Sequence, residues 1–359
     1  MPDQVLEEHE LQTLRTIAAP LGDWFRARRR DLPWRRDRSP YRVWISEIML
    51  QQTRVDTVIP YFERFVERFP DVASLAAAEE DEVLRYWAGL GYYSRGRNLR
   101  RAAAWIVTEN GGEFPVTYGG LRDLPGVGDY TAAAVASLAY GAPHAVVDGN
   151  VERVLCRILR IAGDPKRGEA NARIQSAADI ALDQENPGQH NEAVMELGAT
   201  VCHRTRPECD RCPVRASCAA ARDDVVAQYP TPRARRAPET QTWVAALPRW
   251  RDRWVVTRNA PNAELLKGHW GVPLARIEPT DSAIDAAAAL ARESLGVDAT
   301  CRIPLEPVRH SITYRRLVVV PVPADLTAAP SSPHRLLEAD RVTELPALYR
   351  KILSQAESL

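Results

Sequence analysis

Apolar residues recur at helical spacing through the first two thirds of the chain, and no strand pattern is convincing before about residue 240. Leu11, Leu14, Ile17, Leu21 and Phe25 fall on one side of a helix over residues 8–30. Leu32-Pro33-Trp34 breaks it. Ser39 and Pro40 then supply an N-cap and a first-position proline for a helix carrying residues 41–53. Val58, Tyr61, Phe62, Phe65 and Phe69 make residues 57–69 amphipathic, and residues 79–87 form another helix. Residues 89–98, GLGYYSRGRN, read as a glycine-broken loop with two tyrosines, leading into a helix that runs to about Glu109. Helices recur from 121 to 200. After 240 the texture changes: TWVAAL, RWVVTR and RRLVVVPV read as strands and DSAIDAAAALARESL as one helix. Between the two textures, residues 229–240 hold three prolines and no periodicity, as a linker does. The pattern predicts a mostly α region over 1–228 and a small α+β domain over 241–359.

The chain is organised around residues 121–155. LPGVG at 124–128 is a tight turn, in which Gly126 and Gly128 permit left-handed backbone. The alanine-rich run from Asp129 to Tyr140 follows as a helix, stopped by Gly141 and Pro143. Such a helix start, with the amides of Gly126, Val127 and Gly128 before it, is suited to an anion such as phosphate. Asp148 lies between Val146–Val147 and Gly149–Asn150, where a further helix begins. It reads as a helix cap, as a catalytic carboxylate held ionised by the helix dipole, or as both. Glu47 is the only acid of its helix and shares a face with Val43, Trp44, Leu50 and Gln51. Apolar walls strip a carboxyl of hydration, so it can hold a proton near neutrality, as a general acid must.

Charge and cysteines refine this picture. The 359 residues carry 47 basic and 47 acidic side chains, so net charge does not announce a polyanion partner. Local clusters do: residues 26–36, 95–101 and 233–236 are dense in arginine, and lysine is nearly absent. No run of eighteen apolar residues exists and the N-terminus is acidic, which points to the cytoplasm. Cys202, Cys209, Cys212 and Cys218 are spaced C-x6-C-x2-C-x5-C, while Cys156 and Cys301 lie apart. Four clustered thiols in a reducing compartment point to a metal site. Cysteine-only ligation suits zinc or a four-iron cluster.

LPWRRDRSPYRVWISEIMLQQT, GLGYYSR, LPGVGDYTA, VDGNVERV, NEAVMELGATVC and the four cysteines, taken in order over about residues 9–220, resemble the MutY family of adenine DNA glycosylases. That family belongs to the helix–hairpin–helix (endonuclease III) superfamily. The resemblance implies a helix–hairpin–helix glycosylase fold with a 4Fe-4S cluster on the four cysteines, followed by a Nudix-like C-terminal domain that recognises the lesion. That domain lacks the acidic run a Nudix hydrolase uses for magnesium, so no pyrophosphatase activity is expected. The implied function is base excision repair. A monomer would act on double-stranded DNA, flipping and hydrolysing adenine from A:8-oxoguanine and A:G mispairs. Glu47 would protonate the adenine; Asp148, with Asn150 assisting, would stabilise the positive sugar. Trp34, Arg35 and Glu192 would line the adenine pocket, and Gln52 and Tyr92 would fill the duplex gap. Thr313, within Ile312-Thr313-Tyr314, stands where the family reads the lesion. Arg204 and Arg206 would contact phosphate from the cluster loop.

Tyr130 stands where the lyase branch of the superfamily has its lysine, which implies monofunctional hydrolysis. The enzymatic alternative is a thymine/uracil–G mismatch glycosylase, and the non-enzymatic one is a DNA-binding scaffold.

Overall fold

The computed structural model describes residues 6–231 and 237–356, and no side chain at 340. The chain divides into two compact units, Met1–Ala234 and Arg235–Leu359. Residues 232–236 of the expected linker, with the basic run at 233–236, lie outside the described residues.

Among the described residues the first unit is helical: α1 (Glu8–Arg28), α2 (Pro33–Arg36), α3 (Pro40–Leu50), α4 (Val55–Arg68), α5 (Val72–Ala77), α6 (Glu80–Trp87), α7 (Ser94–Glu109), α8 (Tyr118–Arg122), α9 (Asp129–Tyr140), α10 (Gly149–Ile158), α11 (Gly168–Ala181), α12 (Pro187–Thr200) and α13 (Ala219–Arg222). Two apolar cores hold them together. One gathers Ile45 and Met49 of α3, Phe62 and Phe65 of α4, Trp87 of α6 and Leu99 of α7. The other gathers Leu14, Leu21 and Phe25 of α1, Leu155 of α10, Ile174 of α11 and Leu197 of α12. At roughly 1.5–3 kcal/mol for each large apolar side chain buried, these cores are the main force fixing the helices.

Three local expectations are revised. Pro33 does not simply break the chain; it occupies the first position of the four-residue helix α2. Ser39 stands at the N-cap of α3, but its hydroxyl makes no capping bond and Pro40 alone sets the start. That helix ends at Leu50, short of 53, and Gln52 turns left-handed at φ 57°. In the LPGVG turn only Gly126 is left-handed, at φ 80°. Gly128 is extended, at φ −103° and ψ −179°, as the N-cap of α9. Glycine is dictated at 126, where a Cβ would meet the Asn98 side chain at 2.6 Å and would add roughly 1–2 kcal/mol of left-handed strain.

The second unit is built on one mixed sheet: β1 (Glu239–Trp250), β2 (Arg253–Arg258), β3 (Trp270–Gly271), β4 (Leu274–Ile277), β5 (Ala299–Cys301), β6 (Val308–Ile312), β7 (Arg315–Leu326) and β8 (His334–Leu337). The path runs β3-β2-β1-β7-β5, with β4 on β1, β6 on β7 and β8 on β2. Pairing is antiparallel except for β1 with β7, parallel from Glu239 opposite Arg315 to Arg249 opposite Asp325. Alternation along β1 gives each face its helix. Trp243, Ala245 and Leu247 pack with Leu348 and Ile352 of α15 (Ala347–Ala356); Val244 and Ala246 pack with Ala287 and Leu290 of α14 (Ala283–Leu295).

Candidate active site

Within the first unit, α2, α3, α9, α12 and the start of α10 enclose a cavity of about 710 Å³. Trp34, Arg35, Glu47, Gln52, Gly128, Tyr130, Asp148, Asn150 and Glu192 all line it. Residues 34 to 192 in the chain thus converge on one space.

Glu47 is 5% exposed, walled by the apolar side of α3. Its Oε2 accepts a 2.6 Å hydrogen bond from the Tyr130 hydroxyl. Burial drives the carboxyl up to about 7; the tyrosine bond and Arg35 oppose this, and the charges of Asp148 and Glu192 add to it. Desolvation wins because the bond satisfies only one of two oxygens. The Tyr130 phenol is itself held well above its usual range, first by burial and then by Glu47, so it stays a donor.

Asp148 is both cap and site residue. Its Oδ1 accepts from the amides of Asn150 at 2.8 Å and Val151 at 2.7 Å, closing the first turn of α10. Its Oδ2 accepts from Asn150 Nδ2 at 2.9 Å. Arg153 Nη2 in turn donates to Asn150 Oδ1 and to the Gly198 carbonyl, and its Nε donates to the Cys202 carbonyl. The carboxylate is therefore fixed on the cavity wall by its own helix.

Part of the arginine cluster read as a DNA-facing surface is turned inward. Arg35 Nε donates to Glu192 Oε1 at 2.9 Å and its Nη2 to Glu196 Oε2 at 3.0 Å. Arg30 grips Glu196 through Nε and Nη2 at 2.7 and 2.9 Å, and Arg38 pairs with the second oxygen of Glu192. Glu196 is 1% exposed, so these arginines compensate a buried charge that would otherwise be untenable. Trp34 is buried beside this network, edge-on to Phe62 at 5.5 Å.

Other flagged residues lie elsewhere. Tyr92 is 49% exposed at a loop tip outside the cavity. The Val127 amide donates to the Leu124 carbonyl at 3.0 Å, so of the three amides expected to meet a phosphate this one is already committed within the turn. Thr313 is in the second unit, at the exposed hairpin tip between β6 and β7, with its hydroxyl on the Ile312 carbonyl. Gln52, Tyr92 and Thr313 all hold positive φ without being glycine, a strain that concentrates at functional positions. Cys202, Cys209, Cys212 and Cys218 line one small cavity together, and Arg157 Nη1 approaches Cys202 Sγ at 3.1 Å. Among the described residues no three His, Cys, Asp or Glu side chains converge on a single ion position. Arg204 and Arg206 are exposed on the loop between the first two cysteines.

Residues 45–179 match the HhH-GPD superfamily base excision DNA repair protein model. The human adenine DNA glycosylase is 48% identical over 209 residues, covering 56% of this chain and 38% of that protein. An adenine DNA glycosylase of Buchnera aphidicola (strain Sg) is 33% identical over 245 residues, 68% of this chain and 71% of its own length. The chain belongs to the adenine DNA glycosylase family. A thermostable thymine-DNA glycosylase structure superposes with a TM-score of 0.54 at 26% identity, over 59% of this chain and 98% of its own. An endonuclease III–DNA complex does so at 0.51 and 23%, over 60% and 97%, which attests the shared fold. The chain spans about two fifths of the length of the mammalian adenine DNA glycosylases it matches.

In this adenine DNA glycosylase family member, Arg30, Arg38, Arg153 and Glu196 escaped the sequence reading. The signal available for Glu196 was its i,i+4 spacing from Glu192 on α12, which puts both acids on one face. Nothing local announces that their partners lie some 160 positions earlier.

Proposed function

We propose that the chain is a monofunctional adenine DNA glycosylase of base excision repair, hydrolysing adenine from A:8-oxoguanine and A:G mispairs in double-stranded DNA. The observation that carries this reading is one cavity in which Glu47, raised to about 7, stands with the capped carboxylate Asp148. A general acid that keeps its proton, with a carboxylate set to face the sugar, is what N-glycosyl hydrolysis needs. The protonated Glu47 gives its proton to a ring nitrogen of the flipped adenine, the C1′–N9 bond breaks, and the base departs neutral. Asp148 offsets the positive charge that develops on the sugar, and Asn150 holds that carboxylate in place. A water then adds to C1′ and releases its proton, which restores Glu47. Tyr130 keeps the Glu47 carboxyl oriented and offers no amine, so no Schiff base forms and the strand stays intact. Arg35 and Glu192, with Trp34, present a polar and aromatic edge to the purine. Gly126 and Gly128 with the first turn of α9 would receive a backbone phosphate.

The four cysteines would hold a 4Fe-4S cluster. The four thiols line one small cavity, and cysteine-only ligation there suits zinc or such a cluster; the family resemblance favours the cluster. When bound, the cluster serves as a cross-link for the loop over 202–218, presenting Arg204 and Arg206 to phosphate. The second unit would read the 8-oxoguanine through the Thr313 tip.

The test is incubation with an A:8-oxoguanine duplex followed by alkali. Cleavage only after alkali supports monofunctional hydrolysis. Cleavage without alkali means a lyase, and none at all means a scaffold.

A further inference from the structure

Arg95 was read as part of a surface cluster, yet it is drawn inward. It lies in the first turn of α7, where the helix dipole disfavours a cation, so something else must hold it there. Its Nη1 donates to the carbonyls of Ile48 at 2.8 Å, Met49 at 3.1 Å and Gln51. These are the carbonyls left without partners where α3 ends, at the negative end of that helix. Its Nη2 donates to Thr53 Oγ1 at 3.3 Å and to the carbonyls of Leu90 at 3.1 Å and Gly91 at 3.2 Å. One planar guanidinium therefore ties two loops that are some forty residues apart in sequence. Its carbon also lies 5.4 Å from the Trp87 ring centroid and 5.5 Å from that of Tyr92. Gln52 and Tyr92, the residues at the two loop tips, both sit in left-handed backbone at φ 57° and 46°. Each strained residue is flanked by a carbonyl bound to Arg95: Gln51 before the first, Gly91 before the second. Arg95 Nε finds no acceptor, so the side chain accepts a buried unpaired donor to make the other contacts.

We propose that Arg95 is a positioning residue that holds Gln52 and Tyr92 together as one wedge, a role that rests on the reading that these two tips enter the duplex. Lysine cannot replace it, because an ammonium has three donors and no plane to span both loops.

The test uses the full chain with Arg95→Lys, Tyr92→Ala and the double variant. Hydrogen exchange on the free protein should speed up at both 51–53 and 89–92 in Arg95→Lys, with the helical cores unchanged. On an A:8-oxoguanine duplex with 2-aminopurine beside the adenine, the fluorescence rise that reports unstacking should be largely lost. Single-turnover adenine release should fall at least about tenfold, a size fitting misplaced rather than missing chemistry. Combining Tyr92→Ala with Arg95→Lys should slow release by less than the product of the two single effects, since Arg95 acts partly through Tyr92. Unchanged exchange at either tip, or effects that multiply, overturns the clasp. Wild-type protein that gives neither fluorescence nor adenine, while Arg95→Lys still loosens both tips, overturns the wedge reading instead. Should Arg95→Lys fail to fold, Thr53→Val removes the Oγ1 that accepts from Arg95 and also donates to the Gln51 carbonyl at 3.3 Å, so exchange must speed up at 89–92 as well as at 51–53 for the proposal to stand.

Discussion

Glu47 carries its consequence in its proton. A carboxyl raised to about 7 is protonated in the folded chain at pH values where the unfolded chain has lost its proton. Stability attributable to this group is therefore greatest below the ordinary carboxylate range and falls as pH rises toward 7. Glu47→Gln keeps the shape, removes the titration, and should flatten that slope in thermal unfolding across pH. The same variant should bind the mispaired duplex and release no adenine; turnover within about tenfold of wild type would remove Glu47 from the acid role. Tyr130→Lys places an amine beside the same carboxyl. It should generate some strand nicking, seen as a borohydride-trapped protein–DNA adduct. A folded variant that still releases adenine yet traps no adduct would contradict the branch argument. Glu47 was legible because a lone acid on an apolar helix face is costly and calls for a reason. Glu196 was not, since its compensation comes from Arg30 and Arg35, across the fold and far off in sequence.

At the level of elements, long periodic stretches were readable and short ones were not. Helices α1, α4 and α9 declare themselves by spacing and end signals, and β2 falls on the stretch RWVVTR. The strands β3, β4 and β5 are two to four residues long, too short for alternation to register. The end of α3 was misjudged; its last carbonyls are met by the Arg95 fork, delivered from α7, a partner no local pattern announces. Helix α12 joins two parts of the site: it carries Glu192 and Glu196, and two residues after its end comes Cys202. Cys209→Ser should abolish the visible iron–sulfur absorbance of the isolated protein and weaken DNA binding, as the Arg204–Arg206 loop loses its anchor. Wild-type protein isolated with zinc and no iron would overturn the cluster assignment.

At the scale of the whole molecule, the proposed function divides between the two units. Every residue proposed for adenine chemistry lies in Met1–Ala234, while the proposed lesion reader, Thr313, lies in Arg235–Leu359. Removing residues 241–359 should leave adenine release from A:G largely intact and erase most of the preference for A:8-oxoguanine. Thr313→Ala should erase part of it, about 1–3 kcal/mol if the hydroxyl becomes a buried hydrogen-bonding partner on the DNA. Single-turnover rates on both duplexes decide; an undiminished preference in the truncated chain would assign lesion reading to Gln52 and Tyr92. The sequence showed where the α-helical texture gives way to strands, but not that Thr313 would occupy a left-handed hairpin tip, because an alternating strand reads the same until its turn is seen.

The most direct measurement is the pH profile of single-turnover adenine release from an A:8-oxoguanine duplex, taken about two units either side of 7. The predicted curve is level at low pH and falls about tenfold per unit above 7, with the product strand intact until alkali is added. A rate that rises or stays flat through 7, or strand cleavage without alkali, would contradict a protonated Glu47 acting in a monofunctional glycosylase.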